Sequence, residues 1–200
     1  MTFWDICAPF YDKAERSNTA YDGMLRLIRG LVPQGASVLE IAAGTGSVSL
    51  AVSDKANSVL CTDISVNMLK AAREKAAKRG IMNISFARKN LFDTGEPDNA
   101  YSVVIASQVL HLIDEPRKAA DEVKRVSMGL VITSVALLKG LRGIFIRPTV
   151  GIWRVLGFAP KREFDEDSYR AFLCEIGLPP TQYAIINGNM PMAVAVWNKT

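Results

Sequence analysis

Apolar positions change period along the 200-residue chain, and each change predicts an element. Residues 18–32 carry apolar side chains at helical spacing and stop at Pro33-Gln34-Gly35. Residues 37–42 read as a buried strand that breaks at small residues, and 47–54 as the helix that follows. Strand 58–63 leads to a helix over 65–80, with Ser65 as its N-cap and Gly80 as its stop. Strands follow at 83–88 and 100–107, then a polar-faced helix at 114–126 and an apolar strand at 129–137. A helix at 165–178 precedes two closing strands, 181–188 and 190–199, joined by a short turn at 187–191.

Strand alternating with helix at short spacing predicts an α/β fold. The expected architecture is a Rossmann-like, seven-stranded, mostly parallel sheet with helices on both faces. Its closing hairpin makes the terminal strand antiparallel. No repeat, low-complexity tract or Ser/Gly linker interrupts the chain, so one domain is expected over 1–200.

Composition narrows this picture only a little. Apolar residues are 49% and charged residues 22%, ordinary for a globular chain. The net charge of +4 is too mild to imply nucleic acid without a concentrated basic face. Cys7, Cys61 and Cys174 are scattered, which fits a reducing, cytoplasmic setting with buried, inert thiols. The first dozen residues include acids and no long apolar core, so no signal peptide is expected. No apolar run approaches the ~20 residues of a membrane span.

The candidate chemistry lies at the first strand's end. Gly44 and Gly46 permit a tight turn and let a ligand lie against the backbone, where the turn meets a helix N-terminus. Asp63, ending the second strand, is placed for both hydroxyls of a ribose. Ser49 occupies the third position of G-x-G-x-x-G, which weakens a dinucleotide reading. Glu40 is expected nearer the strand's start than its ligand edge, orienting the glycine turn or reaching a cationic group. An adenosine ligand with a cationic part and no pyrophosphate, such as S-adenosyl-L-methionine, fits these residues.

At these residues the chain resembles the class I S-adenosylmethionine-dependent methyltransferases. The segments are VLEIAAGTG (38–46), DISVNMLKAA (63–72) and DNAYSVVIASQVLHLID (98–114). The small-molecule branch with ubiquinone/menaquinone C-methyltransferases and phospholipid N-methyltransferases is the most similar in style, and FWDICAPFYDKAER (3–16) is similar to its opening. The resemblance, covering residues 3–132, implies S-adenosyl-L-methionine as donor and S-adenosyl-L-homocysteine as product. It assigns Glu40, Ala42, Gly44 and Gly46 to the methionine-side loop, and Asp63 and Ile64 to ribose and adenine. Met68, Asn90 and Leu91 fall near the nucleoside, Ser107 and Gln108 beside the methyl group, and Tyr11 in an N-terminal helical lid over 1–32. Ala42 stands where the family has glycine, which is tolerable if that position has ordinary strand dihedrals. Ser102 replaces an aspartate of structural use, and the loop into the fifth strand is trimmed. No metal is implied.

His111 is the single imidazole and the candidate general base; its alternative is local packing on a helix face. Tyr11 and Trp4 are alternatively plain core aromatics. Residues 137–162 hold six Lys/Arg and no acid, mixed with large apolar residues. This stretch, within an insertion at 137–164, is expected to cover the acceptor pocket, with peripheral membrane contact as a further option against a simple cover helix. The expected partner is a small, largely apolar acceptor. Two other functions stay open: a non-catalytic methyltransferase-like binding subunit, and a nicotinamide-dependent oxidoreductase.

Overall fold

A computed structural model describes residues 3–139 and 160–199. Two helices, α1 (Phe3–Arg16) and α2 (Tyr21–Leu31), precede β1 (Ala36–Glu40) and α3 (Ser47–Val52). Then come β2 (Ala56–Asp63), α4 (Val66–Lys78), β3 (Ile84–Arg88), β4 (Tyr101–Ser107), α5 (Pro116–Val126) and β5 (Ser127–Ala136). The chain closes with α6 (Glu166–Glu175), β6 (Gln182–Ile186) and β7 (Met192–Asn198).

The seven strands form one sheet in the order β3-β2-β1-β4-β5-β7-β6. The pairs β1–β2, β2–β3, β1–β4 and β4–β5 are parallel, and β7 runs antiparallel to both β5 and β6. The expected sheet and its antiparallel terminal strand are therefore present, with β7 between β5 and β6.

Alternation builds two cores, one on each face of the sheet. Val38, Val103, Ile105, Ile132 and Val194 face α2, α3 and α4. Leu39, Val104, Val131, Ala193 and Ala195 face α5 and α6. Successive strand residues point to opposite faces, so a strand packed on both sides reads as nearly continuous apolar sequence.

Local chemistry sets the boundaries. Ser65 Oγ accepts the Met68 N–H at 3.1 Å and caps α4, while Gly80 takes φ +65° beyond its end. Asp165 opens α6 with a capping box: its carboxylate accepts the Ser168 N–H at 2.9 Å. The trimmed connection into β5 has no loop, because α5 ends at Val126 and β5 begins at Ser127. The Ser102 departure is absorbed by a serine pair across β1 and β4. Ser37 N–H donates to Ser102 Oγ at 2.9 Å, and Ser102 N–H to Ser37 Oγ at 3.0 Å.

The thiols depart from expectation at one place. Cys7 and Cys61 are buried, but Cys174 is exposed on the outer face of α6. The expected cover at 137–164 lies mostly outside the described residues. Its flanks are tied to the fold: Lys139 pairs with Asp165 at 2.9 Å, Lys161 with Asp114 at 2.7 Å, and Arg162 Nη1 donates to the Ile113 carbonyl at 2.8 Å. Three of the six basic residues read as substrate- or membrane-facing thus have partners within the protein. No helix among the described residues is long and apolar enough to cross a membrane.

Candidate functional site

Strand order reverses between β1 and β4, since β2 and β3 lie to one side and β5 to the other. In such sheets a crevice opens outside the carboxyl ends of the strands at this point. A cavity of about 220 Å³ occupies it.

The turn after β1 is shaped by residues with positive φ. Gly44 has φ +55° and Gly46 φ +73°. A Cβ on Gly46 would lie 2.8 Å from the Ala72 Cβ, so glycine is required both by dihedral and by the close approach of α4. Ala42 also has φ +54°, contrary to the ordinary strand dihedrals expected. Its Cβ is held in the left-handed region, which costs an L-residue about 1–2 kcal/mol. Gln108, at the end of β4, has φ +55° as well. Its conformation is fixed from two sides: Nε2 donates to Ser134 Oγ at 3.2 Å, and Oε1 accepts the Ala136 N–H at 3.1 Å.

Asp63 ends β2 on the cavity wall. Its Oδ2 accepts the Gly44 N–H and its Oδ1 the Ser65 N–H, each at 2.8 Å. The carboxylate thereby joins the glycine turn to the start of α4. Burial raises its pKa, against backbone donors that favour the charged form. Each oxygen retains a lone pair for a hydroxyl.

Glu40 is the last residue of β1, so the expectation that it lies nearer the strand's start is corrected. It is 2% exposed, and its Oε2 accepts the Ser49 N–H at 2.7 Å and the Ser49 hydroxyl. It therefore holds the first turn of α3. Burial pushes its pKa up to about 7.

Ten of the residues singled out from sequence line this cavity: Tyr11, Ala42, Gly44, Asp63, Ile64, Met68, Asn90, Leu91, Ser107 and Gln108. Asn90 Oδ1 accepts the Phe92 N–H at 3.0 Å, which shapes the loop after β3. Three others lie off this wall: Glu40, Gly46 and His111. His111 sits in the tight turn closed by Leu112 N–H to the Val109 carbonyl at 2.9 Å, which sends Leu112 and Ile113 to the cavity and the imidazole elsewhere. It is 8% exposed, its Nδ1 has no hydrogen-bond partner among the described residues, and burial lowers its pKa to about 4. Neutral packing, the alternative weighed for it, fits this placement.

Trp4, weighed with Tyr11 as a lid residue or a core aromatic, also lines the wall, and Lys89, Phe92, Val109, Leu112 and Ile113, which were not predicted, complete it. A usable signal existed for some of them. Trp4 lies two helical turns before Tyr11 on the same face of α1, and their rings meet edge-to-face with centroids 6.4 Å apart. Phe92, Leu112 and Ile113 follow the ends of β3 and β4, where ligand-facing loops occur.

Helix α1 crosses the mouth and is tied to α4 at two points. Asp5 accepts the Ser65 hydroxyl at 2.5 Å, and Lys75 pairs with Asp12 at 2.8 Å. Behind Tyr11 lies a second, polar cavity of about 20 Å³, lined by Glu15, Tyr21, Glu40 and Ser47. It shares Tyr11, Ala42, Ser107 and Gln108 with the larger one. Among the described residues, no group of three or more His, Cys, Asp or Glu is placed to hold a metal ion.

Residues 38–128 match the family profile described as a methyltransferase domain. The demethylmenaquinone methyltransferase of Paenarthrobacter aurescens (strain TC1) is 31% identical over 164 residues, covering 78% of this chain and 58% of that protein. The chain thus spans just over half the length of this relative. Among solved structures, magnesium protoporphyrin IX methyltransferase from Synechocystis PCC 6803, with bound SAH, is similar at TM-score 0.69 and 18% identity, covering 96% of this chain and 88% of that one. The [4+2]-cyclase SpnF is similar at TM-score 0.71 and 18% identity, covering 90% and 80%.

Proposed function

We propose that the chain is an S-adenosylmethionine-dependent methyltransferase acting on a small, largely apolar acceptor, a reading supported by the match of residues 38–128 to a methyltransferase-domain profile. The observation that carries this reading is Asp63, an acid at the end of β2 bonded to the glycine turn on the rim of the switch-point cavity. The donor supplies an activated methyl group on a sulfonium. What remains for the protein is positioning, for which effective molarities of ~10⁵ M and above are attainable.

In this reading Asp63 accepts the ribose hydroxyls, and Ile64, Met68, Asn90 and Leu91 surround the adenine. Gly44 lets the donor approach the backbone. Ser107 and Gln108, rigidly held through Ser134, border the reacting methyl. Trp4, Phe92, Leu112 and Ile113 give the acceptor apolar walls. The relative named for demethylmenaquinone supports an aromatic quinol ring as the acceptor class. His111 is left without a base role: buried and neutral off the cavity wall, it is expected to be replaceable by alanine with turnover within about threefold.

A nicotinamide-dependent oxidoreductase is disfavoured by Glu40. The Ser49 N–H, a donor that a pyrophosphate would use at the start of α3, is already engaged by a carboxylate. A non-catalytic binding subunit is the other alternative, since one fold hosts many chemistries, as a cyclase among the structural neighbours illustrates.

Calorimetric titration with S-adenosylmethionine and S-adenosylhomocysteine, with NAD as control, tests the donor. Both sulfur ligands are expected to bind wild type and to be lost in Asp63→Ala, while NAD is silent. At 100 times its dissociation constant, a ligand should also stabilise the fold by ~2.7 kcal/mol. Folded protein that binds neither ligand overturns the reading. Binding without methylation of a hydroquinone acceptor would favour the non-catalytic alternative.

A further inference from the structure

The smaller cavity carries a charge balance that the fold leaves open. Glu15 from α1 and Glu40 from β1 both line it, and among the described lining residues there is no lysine or arginine. The nearby cation is engaged elsewhere, since the Lys75 ammonium lies 2.8 Å from Asp12 and 3.0 Å from Thr45 Oγ1. Among the described residues the donors bonded to each glutamate are neutral: the Tyr11 hydroxyl for Glu15, and the Ser49 hydroxyl and N–H for Glu40. Shared walls put this pair directly behind the larger cavity. The volume of about 20 Å³ suits one group the size of a water or an ammonium.

We infer that Glu15 is a donor-binding residue, forming with Glu40 a two-carboxylate seat for the ammonium group at the donor's amino-acid end. The inference rests on the donor reading of the larger cavity. It gives the lid helix a chemical role, because α1 then recognises a charge that a bare thioadenosine lacks. Burial holds both carboxyls near 7. Asp12 beside Glu15 and Asp63 beside Glu40 push in the same direction, Lys75 opposes them at Glu40, and Tyr11 and Tyr21 face the pair. Burial therefore favours the protonated forms while the seat is empty. An arriving ammonium favours the ionised forms, and the displaced protons pass to solvent.

The test is calorimetry with S-adenosylhomocysteine, which has the ammonium, and 5′-methylthioadenosine, which does not. Glu15→Gln should weaken S-adenosylhomocysteine about tenfold or more at pH 8, the loss of a charge-assisted hydrogen bond. Methylthioadenosine should stay within about twofold, which also reports that the variant is folded. Wild-type affinity for S-adenosylhomocysteine should fall as pH drops from 8 to 6, with proton release seen across buffers of different ionisation heat. Both effects should be shallower in Glu15→Gln and partly restored in Glu15→Asp. Equal loss of both ligands, or loss of neither, overturns the inference. Asp63→Ala separates the two proposals, since it should lose both ligands. Failure of wild type to bind either ligand removes the donor reading and this inference together.

Discussion

Two acids at opposite ends of the sheet are both shielded from water, yet the fold treats them differently. Glu122, on α5 near the amino end of β4, is 8% exposed. It accepts Arg125 Nε at 2.7 Å and Nη2 at 2.8 Å, and the Thr94 N–H at 2.7 Å. The Arg125 guanidinium lowers its pKa to about 2. Glu40, at the carboxyl end of β1, is 2% exposed and receives only Ser49, and burial raises its pKa to about 7. One end of the sheet neutralises its buried acid with a cation of its own. The other keeps a carboxyl that a single serine orients and that no cation among the described residues pairs, a pattern expected where a ligand supplies the charge.

The largest effect that separates the two ends is the pH dependence of the unliganded protein. Glu40 has a folded pKa above its ordinary 4.5, so its contribution is complete below that value and lost as pH rises through about 7. The loss amounts to about 3 kcal/mol for this group. Glu122 behaves in the opposite sense: its contribution is present above its ordinary value and lost as pH falls toward about 2. Urea unfolding at pH 5.5 and 8 should show a decline in wild type that is markedly smaller in Glu40→Gln. Parallel profiles for the two proteins would mean that Glu40 is ionised without penalty, and the contrast would collapse.

The next effect lies at the other end. Glu122→Ala removes the partner of Arg125 and leaves the Thr94 N–H without its acceptor, at a cost of about 2 kcal/mol. Arg125 is partly exposed and keeps Asp98 at 2.6 Å, which holds the cost below that of a fully buried pair. Binding of S-adenosylhomocysteine at saturating stability should be unchanged. A variant that lost ligand affinity while still folded would show that the two ends are coupled.

The sequence carried most of the frame because its rules are local. Strand alternation, the Ser65 cap and the Gly80 stop act within a few residues, and all three appear in the structure. Ligand-wall residues at strand ends were readable for the same reason: Gly44 and Asp63 follow from where β1 and β2 stop, whereas Ser107 was implied by the family resemblance. The smaller cavity was not readable, since Glu15, Tyr21 and Glu40 come from three elements and meet only by packing. The direction of His111 depended on one turn, between Val109 and Leu112, whose geometry no spacing rule supplies. Ala42 misled in a different way, because alanine is a residue that ordinarily announces negative φ.

That position provides the smallest test of the contrast, and a discriminating one. Three described non-glycine residues have positive φ: Ala42 and Gln108 on the cavity wall, and Asn99 at the amino end of β4. Asn99 is a residue type that tolerates the left-handed region, and its Oδ1 also accepts the Lys199 ammonium at 2.5 Å. Ala42 has no such compensation. Ala42→Gly relieves about 1–2 kcal/mol of steric strain and loses about 0.4–1 kcal/mol through the looser unfolded chain. A net gain of about 0.5–1 kcal/mol is expected by urea unfolding, whereas Asn99→Gly should be neutral or slightly destabilising. Equal responses at the two sites would show that the site end stores no more backbone strain than its opposite. The expected inequality would place strain, like the unpaired carboxyl, at the end of the sheet where a ligand is proposed to bind.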